Sequence, residues 1–147
     1  MAGLEASFHH TGISVRDMDK AKAFYCGKLG FSVLWEHKGR TGEPLQQVVG
    51  LPGAVMDIAM LEGYGTRIEL FRYIHPEGRE LGERRQCDFG FIHIALKVKC
   101  ARAAYAKLIK EGVCFTSPPQ DLRPGVTAMY LRDEEGNTIE LLENNVD

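Results

Sequence analysis

An internal repeat limits what this chain can fold into more than any other feature. Residues 10–15 read HTGISV, and residues 93–98, 83 positions later, read HIALKV. A second pair of matched strings closes each copy: residues 65–70 are GTRIEL and residues 136–141 are GNTIEL, 71 positions apart. The shorter second offset means that the first copy holds 12 extra residues between its markers. The stretch GRTGEPLQQVVGLPG, residues 39–53, is rich in Gly and Pro and is the expected insertion. At roughly 60–75 residues neither copy can bury a stable core alone, so the two are expected to pair.

The opening string of each copy alternates. In the first, Ile13 and Val15 share one face, and His10, Gly12 and Ser14 share the other. In the second, Ile94, Leu96 and Val98 lie opposite His93 and Ala95. A period of two marks a half-buried β-strand. Each His sits on the face that carries small residues, which leaves room beside the imidazole. Helical spacing follows each strand. Met18, Ala21, Phe24, Tyr25 and Leu29 form one apolar stripe, with Asp17 or Asp19 as N-cap and Gly30 as stop. Ala101, Ala104, Tyr105, Leu108 and Ile109 form the other, with Gly112 as stop. This second helix lacks an obvious cap, because Cys100 stands where Asp17 does. Further strand-like runs are FSVLWEH and AVMDIAML in the first copy, and VCFTS and TAMYLRD in the second. Each copy therefore reads strand, helix, three strands. The expected fold class is α+β: one domain over residues 1–147, made of two paired βαβββ modules whose partly closed sheet lines a cleft. Module one spans about 7–74, a polar linker 75–90, and module two about 91–143.

Composition excludes several functions. The chain is 44% hydrophobic and 26% charged, as globular domains are, and its formal net charge is −2. That balance offers no footprint for nucleic acid or an anionic membrane. No apolar run approaches the ~18 residues that span a bilayer. The opening MAGLEASFHH has no basic segment leading into an apolar run, so no secretory signal is expected. Cys26, Cys87, Cys100 and Cys114 show no C-x-x-C spacing and are expected to be reduced thiols of a cytoplasmic protein.

Four ionisable residues occupy repeat-equivalent places. His10 and His93 lie on the opening strands, Glu69 and Glu140 on the closing ones. Ile68 and Leu70 flank Glu69, and Ile139 and Leu141 flank Glu140. Alternation sends those neighbours into the core and each Glu to the other face. A carboxylate on a buried face must be paired or must bind a metal. One such Glu or His alone is ordinarily structural, but four at matched positions in two copies are hard to explain that way. Two imidazoles and two carboxylates suit divalent Ni, Co, Zn, Mn or Fe. On an octahedral ion they leave two adjacent positions for water or a bidentate substrate.

The strings HTGISVRDMDKAKAFYCGKLGF, GTRIELF, HIALKV and YLRDEEGNTIELLE together resemble the vicinal oxygen chelate superfamily over nearly the whole chain. That superfamily includes glyoxalase I, methylmalonyl-CoA epimerase, extradiol dioxygenases and the fosfomycin and bleomycin resistance proteins. The resemblance implies paired βαβββ modules around a metal cleft, with His10, Glu69, His93 and Glu140 at the four ligand positions. Two His with two Glu is similar to the glyoxalase I and epimerase pattern. Enzymes of that kind move a proton next to a metal-chelated carbonyl, through an enediolate. A ligand carboxylate would shuttle the proton, which points to Glu140 or Glu69 as catalytic. An epimerase-like site would use a further carboxylate, for which Glu43 is a weak candidate. The short bacterial-type glyoxalase I is similar in length, which favours Ni or Co over Zn. A cytoplasmic homodimer acting on a small molecule is also implied, with the site built within one chain or across two. An Fe(II)-dependent extradiol-type dioxygenase would use two His and one Glu, leaving Glu69 surplus. A drug- or metabolite-binding protein on the same scaffold would need none of the four.

Among other residues, Arg67 and Phe71 share the face of Glu69, and Thr138 and Leu142 that of Glu140. Arg67 could grip an anionic substrate or balance the carboxylates. Arg123, in DLRPG, is expected on a loop, either closing over the cleft as a substrate contact or standing as an ordinary surface arginine. His9 alternates away from His10 and is expected to be structural.

Overall fold

The computed structural model describes residues 4–146. It divides into two compact units, Met1–Arg79 and Glu80–Asp147. Both are mixed α and β, and each carries its own sheet, which does not close on itself. Among the described residues no helix is long and apolar enough to cross a membrane.

The first unit runs β1 (Thr11–Ser14), α1 (Met18–Lys22), β2 (Ser32–Arg40), α2 (Glu43–Val49), β3 (Val55–Gly63) and β4 (Thr66–His75). Its sheet has the order β1-β4-β3-β2, with β1 parallel to β4 and the other neighbours antiparallel. Asp17 caps α1: its carboxylate accepts from the backbone N–H groups of Asp19 and Lys20, both at 3.0 Å. The Lys20 N–H, with that of Asp19, holds the Asp17 carboxyl below its ordinary pKa. After Lys22 the helix loosens into a π-helical stretch, Ala23–Lys28. The whole apolar stripe, Met18, Ala21, Phe24, Tyr25 and Leu29, is buried. Gly30 ends it at φ 86°. A β-carbon there would stand 2.7 Å from the Tyr64 hydroxyl, which donates to the Leu29 carbonyl at 2.6 Å. The stop therefore needs Gly for both conformation and space.

The expected insertion is not all loop. Within it Glu43–Val49 forms helix α2, with Pro44 in its first turn and Gly50 as a left-handed cap at φ 67°. Leu45 and Val49 pack on a cluster of Ala54, Met56 and Ile58, beside Trp35, Phe71 and Tyr73. Seven residues are too few for a helix to persist alone, so this packing is what holds α2.

The second unit runs β5 (His93–Lys97), α3 (Ala101–Lys110), β6 (Cys114–Phe115), β7 (Gln120–Arg123), β8 (Val126–Arg132) and β9 (Thr138–Asn144). Its sheet has the order β5-β9-β8-β6, and β7 also pairs with β8. The expected three strands after the helix are thus four. Both β6 and β7 run antiparallel to β8, opposite Arg132 and Leu131 and then Ala128 to Val126. Pro118 and Pro119 stand between them and cannot donate to the ladder, so one edge strand is split in two. Arg123, expected on a loop, ends β7 instead; the turn that follows is only Pro124-Gly125, with Gly125 at φ 78°.

Cys100 makes no side-chain cap for α3, as its sequence position suggested. The cap comes from across the fold. Glu143 of β9 accepts the Ala101 backbone N–H at 2.8 Å through its carboxylate. Alternation puts Glu143 on the face of Ile139 and Leu141, the face that buries Leu96 and Leu108 with them. Removing an N-cap carboxylate costs about 1 kcal/mol. Urea unfolding of Glu143→Ala should therefore show a loss of about that size; an unchanged midpoint would mean that solvent caps the helix equally well.

Candidate functional site

In each unit the parallel pairing of first and last strand decides what faces what. Gly12 is opposite Glu69 on β4, and Ala95 is opposite Glu140 on β9. Each His lies two residues before that small partner, on the same face. The result is the same contact twice. His10 Nε2 lies 2.9 Å from Glu69 Oε2, and His93 Nε2 lies 3.2 Å from Glu140 Oε2. The carboxylate side chains are only 14% and 15% exposed, and the imidazoles 33% and 24%. Beneath them Ile68, Leu70, Ile139 and Leu141 are all buried, as alternation required.

These distances bear on a metal. Donors about 2.1 Å from one ion and at right angles to each other lie about 3.0 Å apart. Both pairs therefore have the spacing of two neighbouring corners of an octahedron. The same spacing suits an N–H···O hydrogen bond from imidazole to carboxylate. One further detail bears on the orientation of the second imidazole. His93 Nδ1 is buried and has no hydrogen-bond partner, while Nε2 is turned to the carboxylate. The Tyr130 ring, 5.2 Å away centre to centre and tilted by 38°, braces that orientation. The donor set thus fits a divalent cation. The structure places the four residues in two pairs, one in each unit. Among the described residues no group of three His, Cys, Asp or Glu side chains is arranged to hold a metal ion.

The other expected site residues fall as follows. Arg67 does share the Glu69 face, but its guanidinium contacts are Glu62 Oε1 and His9 Nε2, each at 3.4 Å. Phe71 stacks near Tyr73, with ring centres 6.3 Å apart. Its edge sits where a β-carbon on Gly12 would be 3.5 Å away, so the space beside that glycine is taken by Phe71 itself. Arg123 borders a hollow with Asp121, Thr127, Glu143 and Asn145. Thr127 and Glu143 belong to the helix-covered face, so this hollow lies across the sheet from Glu140. Glu43 opens α2 and is exposed. His9 does not turn away from His10: the two Nδ1 atoms are 2.7 Å apart. The alternation argument failed here because β1 begins only at Thr11.

The Glyoxalase/Bleomycin resistance protein/Dioxygenase superfamily model matches residues 7–141. The chain belongs to that superfamily. It is 29% identical over 137 residues to a probable lactoylglutathione lyase of Synechocystis, covering 92% of this chain and 94% of that one. A glyoxalase family protein from Bacillus cereus superimposes with a TM-score of 0.84 at 22% identity, covering 98% of this chain and all of that one (100%). A fosfomycin resistance protein from Mesorhizobium loti does so with a TM-score of 0.65 at 17% identity, covering 97% and 95%. Proteins with different activities share the fold, so the fold alone does not choose the reaction.

Residues in direct contact couple by about 0.5–3 kcal/mol in double-mutant cycles. Cycles on His10→Ala with Glu69→Ala, and on His93→Ala with Glu140→Ala, should both give coupling in that range in metal-free protein. Zero coupling in either would dissolve that pair.

Proposed function

We propose that this protein is a divalent-metal-dependent lyase or isomerase of the glyoxalase I type, with His10, Glu69, His93 and Glu140 as its four metal ligands. The observation that carries the reading is the duplicated His–Glu contact, with both Nε2–O separations near the spacing of adjacent ligands. The ion would be Ni, Co, Zn, Mn or Fe, with Ni or Co favoured by the likeness to short glyoxalase I chains. When bound, it supplies Lewis acidity toward two neighbouring oxygens of a small substrate.

The protein's own groups do the rest. The two imidazoles hold position as neutral donors through Nε2. One of the two carboxylates, Glu140 or Glu69, would take the proton from the carbon next to the carbonyl and return it to the former carbonyl carbon, while the hydroxyl proton passes to the former carbonyl oxygen. The same atoms enter and leave, so an isomerisation results without an outside oxidant. Both carboxylates are suited to this by partial burial: they are shielded from bulk water, yet still reachable from the open face. The likeness to a probable lactoylglutathione lyase supports the hemithioacetal of methylglyoxal and glutathione as first substrate to test. A homodimer in the cytoplasm is part of the proposal, with the two pairs drawn from one chain or from two copies.

Elemental analysis of protein purified without an affinity tag tests the reading. One ion per four-ligand set is expected, with retention weakened in both Glu69→Ala and Glu140→Ala. Conversion of the hemithioacetal should fall with it. Full retention in Glu69→Ala would favour a two-His, one-Glu shell and an Fe(II) oxygenase. No metal after reconstitution would leave a binding protein on this scaffold.

A further inference from the structure

The two half-sites differ on the far side of the imidazole. His93 Nδ1 is buried without a partner. His10 Nδ1 lies 2.7 Å from His9 Nδ1, with the rings edge to face at 81°. The residue at the place of His9 in the second copy is Ile92, which can neither give nor accept a hydrogen bond through its side chain. His9 in turn has its Nε2 3.4 Å from Arg67 Nη1.

We propose that His9 is a positioning residue that sets the tautomer and orientation of the His10 imidazole, and so makes the first half-site the firmer one. The proposal rests on the metal reading above. Two nitrogens 2.7 Å apart cannot both carry a proton, nor can both be bare without repulsion. One proton therefore lies between them. Arg67 is only a donor, so in the metal-free protein His9 Nε2 accepts from it. His9 Nδ1–H then donates to His10 Nδ1, and His10 Nε2–H donates to Glu69.

Ligation through His10 Nε2 requires the reverse arrangement. His10 must carry its proton on Nδ1, and His9 Nδ1 must accept it. The proton between the two rings crosses from His9 to His10. His10 releases its Nε2 proton to solvent, and His9 takes one from solvent on Nε2. Each ring holds one proton before and after. His9 gives up only its 3.4 Å contact with Arg67, the longest in the chain of bonds. A partner on the second ring nitrogen commonly changes metal affinity by about 10–100-fold, because it fixes both the ring and its basicity. His93 has no equivalent residue, so the repeat is symmetric in its ligands and asymmetric in their support.

Two measurements test this on the full chain. Long-range 15N–1H NMR of the imidazoles reports the tautomer directly. His10 should carry its proton on Nε2 in metal-free protein and on Nδ1 after zinc is added. Zinc dissociation constants from chelator competition give the second readout. His9→Leu should weaken zinc about 10-fold, and His9→Asn, whose amide oxygen can stand in for Nδ1, should recover most of the loss. Equal affinity in wild type and His9→Leu overturns the proposal, as does a His10 ring that carries its proton on Nε2 with zinc bound. Failure of the wild type itself to take up zinc would instead refute the metal reading, and the inference with it. Circular dichroism of both variants separates a lost contact from a lost fold.

Discussion

Parallel pairing between the first and last strands of each unit is the constraint on which the rest depends. Neighbouring strands in sequence pair most easily as antiparallel hairpins, but β1 pairs with β4 and β5 with β9, each across an entire module. That pairing puts the start of a strand, where the His stands, beside a strand centred on Glu. It also fixes which residue is opposite each carboxylate, Gly12 in one unit and Ala95 in the other. A slip of one residue would turn both Glu residues into the core and expose Ile68 or Ile139. The buried isoleucines and leucines therefore act on the site indirectly. They make the correct register the one with the largest apolar burial, and the His–Glu contact follows from it.

Much of this was legible because strand periodicity leaves a plain mark. The core faces of β1, β4, β5 and β9 can be read from alternate letters, and the caps and stops of α1 from Asp17 and Gly30. The repeat then located four ionisable residues that single-strand reading would have dismissed. Three features were not legible, each for a physical reason. Helix α2 exists through its packing on the cluster of Ala54, Met56 and Ile58, and no local pattern in a seven-residue helix reports such contacts. The split of β6 from β7 arises from two prolines that also read as an ordinary loop. His9 was misread because alternation holds only within a strand, and the strand starts two residues later.

The two copies have also diverged in what they ask of their surroundings. Near β1 the insertion brings α2 over aromatic side chains, and His9 and Arg67 extend the polar contacts beyond the first His–Glu pair. Near β5 the pair has a tyrosine beside it, and His93 Nδ1 has no hydrogen-bond partner.

The carboxylate that starts α3 has a kinetic side. Asp17 serves its helix from within the same turn, so α1 can begin to form as soon as its own residues are available. Glu143 reaches Ala101 from 42 positions further along the chain. Helix α3 thus gains its first-turn partner only once β9 has docked. The strand that docks is the one carrying Glu140, three residues before Glu143 and on the opposite face. The capping of α3 and the placement of the Glu140 side chain therefore depend on the docking of the same strand.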